Sequence, residues 1–229
     1  MPRWPYPVLT GPLKGARFVL GGLAGEGGGA SVYFNAIEPE QTAAMVDILR
    51  PGDVFFDIGA NAGYYSILAS RLVGKKGTVA ALEPLPRNLA YLQRHVELNK
   101  ADNVRVMAFA CSDTNGTAAF ELGENIAMGH LSEVRRGGVS LLVPTITLDS
   151  LSETTELAPN VIKIDVEGAE MQVLIGGEIT LRRHSPTIFL STHSGELRDQ
   201  CLGHLAELGY RHEPLVPGDD PHEFLLRKN

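Results

Sequence analysis

Val54-Phe55-Phe56-Asp57-Ile58-Gly59-Ala60-Asn61-Ala62-Gly63-Tyr64 runs from an apolar segment through an acid and a glycine-bearing turn into a second apolar stretch that ends at Val73. A strand, a tight turn and a helix in that order make the cradle that holds a nucleotide-like ligand at the carboxyl end of a parallel sheet. Charge and sterics narrow the ligand. A dinucleotide fingerprint, G-x-G-x-x-G, needs its second glycine so that the backbone can approach a pyrophosphate. Here Asn61 stands at that place, and Asp57 lies two residues ahead of Gly59. A side chain and a carboxylate receive two phosphates poorly. They suit the ammonium and sulfonium cations of S-adenosylmethionine, with Asp57, Gly59, Asn61 and Gly63 expected around the methionine part of that cofactor.

Outward from this segment the chain alternates. Strands are expected over residues 54–58, 78–82, 104–110, 161–165, 187–191, 210–216 and 223–227, and helices over 64–73, 86–99, 169–181 and 196–208. Such spacing predicts an α/β fold with a mostly parallel seven-stranded sheet covered by helices on both faces. Only Pro217-Gly218-Asp219-Asp220-Pro221 joins the last two strands. A link that short permits a hairpin and no crossover, so the sheet should close with a C-terminal antiparallel hairpin. Ahead of the alternation, Glu38-Pro39-Glu40 opens a helix with Ala44, Val46, Ile48 and Leu49 as its expected buried side, ended by Arg50-Pro51-Gly52. Residues 38–229 are expected to form the main domain, with 1–37 as an N-terminal hairpin that could form part of a lid. Short strands over 16–20 and 31–34 and glycine turns at 21–22 and 25–29 would build that hairpin. The alternation breaks between 114 and 147, an insertion at the carboxyl edge with a turn at Asn115-Gly116, strands over 118–122 and 139–143, and a loop over 128–132. Insertions there suit substrate recognition.

Composition excludes some functions. The chain has 229 residues, 44% hydrophobic and 21% charged, with a formal net charge of −7. That balance argues against a general nucleic-acid binder, which needs a basic surface to neutralise phosphates. Cys111 and Cys201 are the only cysteines, too few for a disulfide framework or a thiolate zinc site, and Cys111 reads as a buried, reduced strand residue. The start Met1-Pro-Arg-Trp-Pro-Tyr-Pro carries no apolar signal core, and no apolar run reaches membrane-spanning length. A cytoplasmic enzyme acting on a small molecule is the expectation.

Further chemistry gathers at the predicted strand ends. Glu83 ends the second strand about twenty residues past the glycine turn, where a carboxylate accepts ribose hydroxyls. Ser112-Asp113 ends the third and is expected to meet adenine, although Ser112-Asp113-Thr114-Asn115-Gly116 is also turn chemistry in its own right. In Val161-Ile162-Lys163-Ile164-Asp165-Val166-Glu167-Gly168-Ala169-Glu170, a two-residue period puts Lys163 and Asp165 on one side of an apolar strand. A buried lysine needs a carboxylate or a ligand. Asp165 therefore counts both as a cofactor contact and, with Lys163, Glu167 and His193, as catalytic. Glu170 reads as an acid that complements a helix dipole. His193, at the end of the fifth strand, is one candidate base for a substrate hydroxyl, with capping of the rim as its bland alternative, and Asp165 and Glu167 are the other groups that could take the proton. His184 and His204 read as surface residues and His130 as a weak substrate-side candidate. Hard carboxylates at 165 and 167 would suit a divalent cation, but no ligand spacing demands one, and a metal-free site is expected.

Together, Asp57-Ile-Gly-Ala-Asn-Ala-Gly-Tyr-Tyr-Ser66, Glu83-Pro84 with Asn88, Ser112-Asp113, Thr147-Leu148-Asp149-Ser150-Leu151 and Ile162-Lys-Ile-Asp-Val-Glu-Gly-Ala-Glu170 resemble the FkbM-type S-adenosylmethionine-dependent methyltransferases. The resemblance spans residues 38–196. It implies a class I methyltransferase, Rossmann-like fold and O-methylation of a sugar or natural-product hydroxyl. An NAD(P)-dependent oxidoreductase and a non-catalytic cofactor-binding domain are the competing readings. Methylation of protein or nucleic acid is disfavoured by the acidic balance.

Overall fold

The computed structural model describes residues 4–19, 31–34, 36–122, 129–132 and 140–228. Strands β1 (Pro5–Pro7) and β2 (Arg17–Val19) pair antiparallel, and a 3-10 turn at Val32–Phe34 precedes helix α1 (Pro39–Ile48). Then β3 (Val54–Ile58), α2 (Tyr64–Val73), β4 (Thr78–Leu82), α3 (Pro86–Asn99) and β5 (Val104–Met107) follow in strict alternation. A second sheet interrupts it, built from β6 (Ala110–Cys111), β7 (Gly116–Leu122), β8 (Gly129–Ser132) and β9 (Ser140–Ile146). The alternation resumes with α4 (Leu148–Thr155), β10 (Val161–Ile164), α5 (Glu170–Ile175), α6 (Glu178–His184), β11 (Thr187–Ser191), α7 (Gly195–Glu207), β12 (Tyr210–Pro214) and β13 (Glu223–Lys228).

The main sheet has the order β12-β13-β11-β10-β3-β4-β5. Strands β5, β4, β3, β10 and β11 run parallel, and β13 is antiparallel to both β11 and β12. The seven-stranded sheet and its terminal antiparallel hairpin are as the alternation predicts. After β3 the chain first builds outward through β4 and β5, then returns on the other side of β3 with β10 and β11. The strand ends part at that switch point, where a crevice opens.

Because side chains alternate across a sheet, the strands feed two cores. Phe55, Val79, Ala81, Val161, Phe189 and Leu225 pack with Met45, Leu68, Leu92 and Phe18 from α1, α2, α3 and β2. Phe56, Ile58, Ile162, Ile164, Ile188 and Leu190 pack with Leu148, Val173, Leu181 and Leu205 from α4 through α7. Near-continuous burial in β3 and β10 follows from having helices on both faces.

Several expectations need correction. The strand expected over 104–110 splits: β5 ends at Met107, and Ala110-Cys111 leaves the main sheet to pair with Thr145-Ile146 of β9. The loop expected over 128–132 contains β8, which pairs with β7; Met128 lies outside the described residues. The helix expected over 169–181 is broken at Gly176-Gly177. A Cβ on Gly176 would stand 2.2 Å from the Ser112 carbonyl oxygen and one on Gly177 2.6 Å from Leu148 Cδ2, so close packing overrides helix continuation. Residues 32–34 form a 3-10 turn instead of a strand. Of the expected buried side of helix α1, Leu49 is buried and Ala44 and Ile48 pack against the core, while Val46 is exposed; Gln41, Thr42 and Met45 are buried as well. The glycine turns expected at 21–22 and 25–29 lie outside the described residues. Cys111 and Cys201 are buried free thiols. Among the described residues, no helix is long and apolar enough to cross a membrane.

Phe56 is fully buried in the second core. Phe56→Ala should lower the free energy of unfolding by about 3–5 kcal/mol through lost burial and the cavity left behind, read as a drop in the urea midpoint at unchanged slope.

Candidate active site

At the carboxyl ends of β3, β4 and β10 the backbone turns are too close for side chains. Gly59 has φ 82, and a Cβ there would stand 1.9 Å from the Asp165 carbonyl oxygen, so β3 and the end of β10 touch through bare backbone. Gly63, with φ 90, begins α2 where a Cβ would meet Leu92 Cδ1 at 2.5 Å. Asn61 is left-handed at φ 49, a conformation asparagine tolerates better than most residues. Its N–H donates to Glu83 Oε2 at 2.8 Å. The amide that a diphosphate would seek in a dinucleotide site is therefore spent on a carboxylate of the same protein.

Around this turn lies a cleft open to solvent. Asn61, Glu83, Asn88, Asp165 and Glu167 give it polar groups, while Leu85, Phe109, Ala110, Cys111 and Phe120 give it an apolar wall. Glu83 is 4% exposed and also accepts from the Leu85 N–H at 2.9 Å. Burial pushes its carboxyl up to about 7 against the pull of these backbone donors. A ligand that donates hydroxyls to Glu83 would favour the ionised form.

Asp57 is fully buried. Its Oδ2 accepts from Ser66 Oγ at 2.5 Å, and Oδ1 has no hydrogen-bond partner among the described residues. Burial raises its carboxyl above the usual range, and the ammonium of Lys163, its register partner across β3 and β10, works in the opposite direction. Lys163 is itself buried, donates to Asp165 Oδ2 at 2.9 Å and lies 5.2 Å from the Tyr65 ring centre. Desolvation disfavours its charge, but Asp165 and Asp57 outweigh that and hold the ammonium above its ordinary value. Desolvation likewise pushes the Asp165 carboxyl up, and Lys163 brings it below the ordinary value.

A second cluster adjoins the cleft. His193 Nε2 lies 3.3 Å from Glu167 Oε2 and 3.7 Å from Asp165 Oδ1, while Nδ1 lies 2.7 Å from Glu170 Oε1. An ionised carboxylate only accepts, so Nδ1 carries a hydrogen toward Glu170. That bond, opposed by desolvation and reinforced by the charges of Glu170, Asp165 and Glu167, raises the imidazole to about 9. At neutral pH His193 is thus an imidazolium among three carboxylates. Among the described residues no group of His, Cys, Asp and Glu is placed to hold a metal ion.

The structure therefore places Gly59, Asn61, Glu83, Asp165 and Glu167 on the cleft wall, with Asp57 and Lys163 buried beneath it and His193 beside it against Asp165 and Glu167. Gly63 stands behind it, shaping the entry to α2. Ser112 and Asp113 are not on the cleft wall: Ser112 Oγ donates to Asp113 Oδ1 at 3.1 Å, and the three residues before them, Phe109 to Cys111, line the wall. Glu170, read from sequence as a dipole complement, is buried against His193 instead. Nothing in the sequence links positions 170 and 193, because they meet only when β10 and β11 pair. His204 is not a surface residue; its ring is 13% exposed and lies 3.6 Å from Glu178. His184 is half-buried. His130 lies in β8, and its side chain is outside the described residues.

A family model described as the methyltransferase FkbM domain matches residues 57–212. The chain is 33% identical over 140 residues to hexuronic acid methyltransferase AglP of Haloferax volcanii, covering 61% of this chain and 56% of that protein. It is 27% identical over 215 residues to 31-O-demethyl-FK506 methyltransferase FkbM of Streptomyces tacrolimicus, covering 79% and 82%. A crystal structure of methyltransferase FkbM from Methylobacillus flagellatus KT superposes with a TM-score of 0.54 at 17% identity, covering 81% of this chain and 50% of that one, a likeness of fold. The chain thus spans little more than half the length of AglP and half of the superposed chain.

The raised imidazole has a stability consequence. Its folded value of about 9 exceeds the ordinary 6.5, so folding takes up a proton. The stabilisation is fully present below about 6.5 and is lost as pH rises through about 9. Melting temperatures of the wild type should exceed those of His193→Gln at pH 6, and the gap should close by pH 10.

Proposed function

The chain belongs to the FkbM methyltransferase domain family, and from that premise we propose that it is an S-adenosylmethionine-dependent O-methyltransferase acting on a hydroxyl of a sugar or a natural-product small molecule. One observation carries the reading: the glycine turn of β3, Glu83, Asp165 and Glu167 line one cleft, and His193 adjoins it through its contacts with Asp165 and Glu167. Donor binding and proton removal then lie side by side. The names of the two curated relatives, one for a hexuronic acid and one for an FK506 hydroxyl, support hydroxyl-bearing acceptors.

The residues fit the cofactor. The cradle at Gly59 admits no side chain, Asn61 spends its amide on Glu83, and Asp57 carries an unsatisfied carboxylate oxygen below the turn. Asp57, Gly59, Asn61 and Gly63 would hold the methionine part, with the carboxylates favouring its cations. Glu83 would accept the ribose hydroxyls. The apolar wall of Phe109, Ala110 and Phe120 suits a flat heterocycle, with Ser112 and Asp113 next in sequence as its polar neighbours. When bound, S-adenosylmethionine supplies a methyl group made electrophilic by its sulfonium.

The chain's own work is orientation and proton transfer. Lys163 fixes Asp165 at the rim through its 2.9 Å bond. Glu167, at φ 54, turns its carboxylate toward His193. In its neutral form, His193 accepts the proton of the acceptor hydroxyl at Nε2 as the oxygen attacks. The nucleophile gains most from being held in line before reaction, and base catalysis adds a further factor of about 10²–10⁴.

The test is transfer of labelled methyl from S-adenosylmethionine to a panel of glycosides, uronides and polyketide alcohols. We expect label in an alkali-stable ether; label in an ester or in macromolecules, or calorimetric binding of NAD in its place, would refute the assignment. Glu83→Gln should weaken cofactor binding by about 10–100-fold, as expected for loss of a charge-assisted bond. For wild type, kcat/KM should rise with pH to a plateau above about 9, because the base must lose its proton. His193→Gln should remove that inflection.

A further inference from the structure

We infer that Glu170 is the positioning residue of this site: one oxygen of its buried carboxylate holds both the His193 ring and the turn carrying Glu167, so that Nε2 of His193 faces the acceptor. The inference deepens the transferase reading and rests on it.

Glu170 is the first residue of the short helix α5 and has 0% exposure. An acid that served only the helix dipole would sit in water, where a carboxylate is cheap to keep. Burial of a lone carboxylate is costly unless a partner compensates it. Its Oε1 accepts from the Gly168 N–H at 3.0 Å and from His193 Nδ1 at 2.7 Å. Its Oε2 has no hydrogen-bond partner among the described residues. It also acts on Cys201 of α7, a buried thiol raised to about 12 by burial first and by Glu170 second, and so neutral. Compensation therefore falls to His193.

The same oxygen reaches two loops. Glu167 and Gly168 are both left-handed, at φ 54 and 101, and the Gly168 bond ties this turn to the start of α5. The His193 bond ties the end of β11 to the same point. Holding Nδ1–H leaves Nε2 as the only ring nitrogen able to accept a proton, the role a carboxylate plays toward a histidine base elsewhere. The other charges facing the ring are Asp165 and Glu167, and Asp165 is already paired with Lys163. Glu170 contacts Nδ1 at 2.7 Å, and its side chain is fully removed from solvent.

The decisive measurement follows the His193 ring by NMR in the full chain labelled with ¹⁵N-histidine, alongside steady-state kinetics. Wild type should titrate near 9 and, when neutral, carry its hydrogen on Nδ1. Glu170→Gln keeps an acceptor for Nδ1–H and loses the charge. It should lower the inflection of both the NMR titration and the kcat/KM profile by one pH unit or more. Its plateau kcat should fall about tenfold or more, with cofactor affinity changed less than twofold. Glu170→Asp restores a carboxylate and should return the inflection part of the way, which also covers the case in which the glutamine variant fails to fold. A lower melting temperature with the His193 inflection unmoved in both variants would overturn the inference. The NMR reading needs no acceptor, so it separates two failures. A shifted inflection in a protein whose His193→Gln variant transfers methyl at full rate would leave the grip on the ring standing and remove the base role from His193.

Discussion

Lys163 places a positive charge inside the sheet, between Asp57 on β3 and Asp165 at the end of β10. These are the two strands that part at the switch point, so the ammonium binds together the two walls of the cleft. A buried charge of this kind persists only if paired, and removal of one partner from such a pair typically costs about 3–5 kcal/mol. The arrangement is asymmetric in a useful way. Asp165 is held ionised at the rim by the direct 2.9 Å bond, while Asp57 lies deeper, with its carboxyl raised by burial and one oxygen unsatisfied. The lysine thus keeps one carboxylate ionised at the surface of the cleft, with a second acid buried beneath the turn.

Backbone contact supplies the second constraint. Gly59 touches Asp165 without room for a methyl group, and Asn61 takes a left-handed conformation that lets its N–H reach Glu83. Turn, acid and rim carboxylate are consequently one rigid piece, each fixing the next. The insertion contributes by a different route. Because β6 leaves the main sheet and joins β9, the segment from Phe109 to Cys111 swings over the cleft as an apolar wall, joined by Phe120 from β7. One side of the cleft is charged and the other apolar, as a ligand with a cationic end and a flat heterocyclic end requires.

Electrostatics around His193 complete the picture. Three carboxylates raise its pKa, so the ring rests as a cation when the cleft holds no positive ligand. A cationic donor placed nearby would disfavour that imidazolium and push the ring toward the neutral form that the proposed base role requires. Donor binding and base activation would then be linked through charge alone, without movement of the backbone.

Much of this was written in local order. The run Val54–Ile58 followed by Asp57-Ile-Gly-Ala-Asn-Ala-Gly determined a strand, a left-handed turn and a helix, because glycine and asparagine are the residues that tolerate such φ values. Alternation of apolar strands with helical stretches determined the parallel sheet, and the five-residue link before Glu223 determined its antiparallel end. Lys163 called for a carboxylate or a ligand, since an ammonium within Val161–Ile164 is costly to bury alone, and the structure supplies the carboxylates. Other features depended on distance in space. The split at Met107, the break at Gly176-Gly177 and the wall from Phe109 to Cys111 arise from packing against β9, Ser112 and Leu148, partners far along the chain. Glu170 looked like any acid at a helix start, and only the pairing of β10 with β11 set it against a histidine 23 positions away. Local sequence fixes what a segment's backbone prefers. Which charges share a dry pocket is decided by the sheet that brings their strands together.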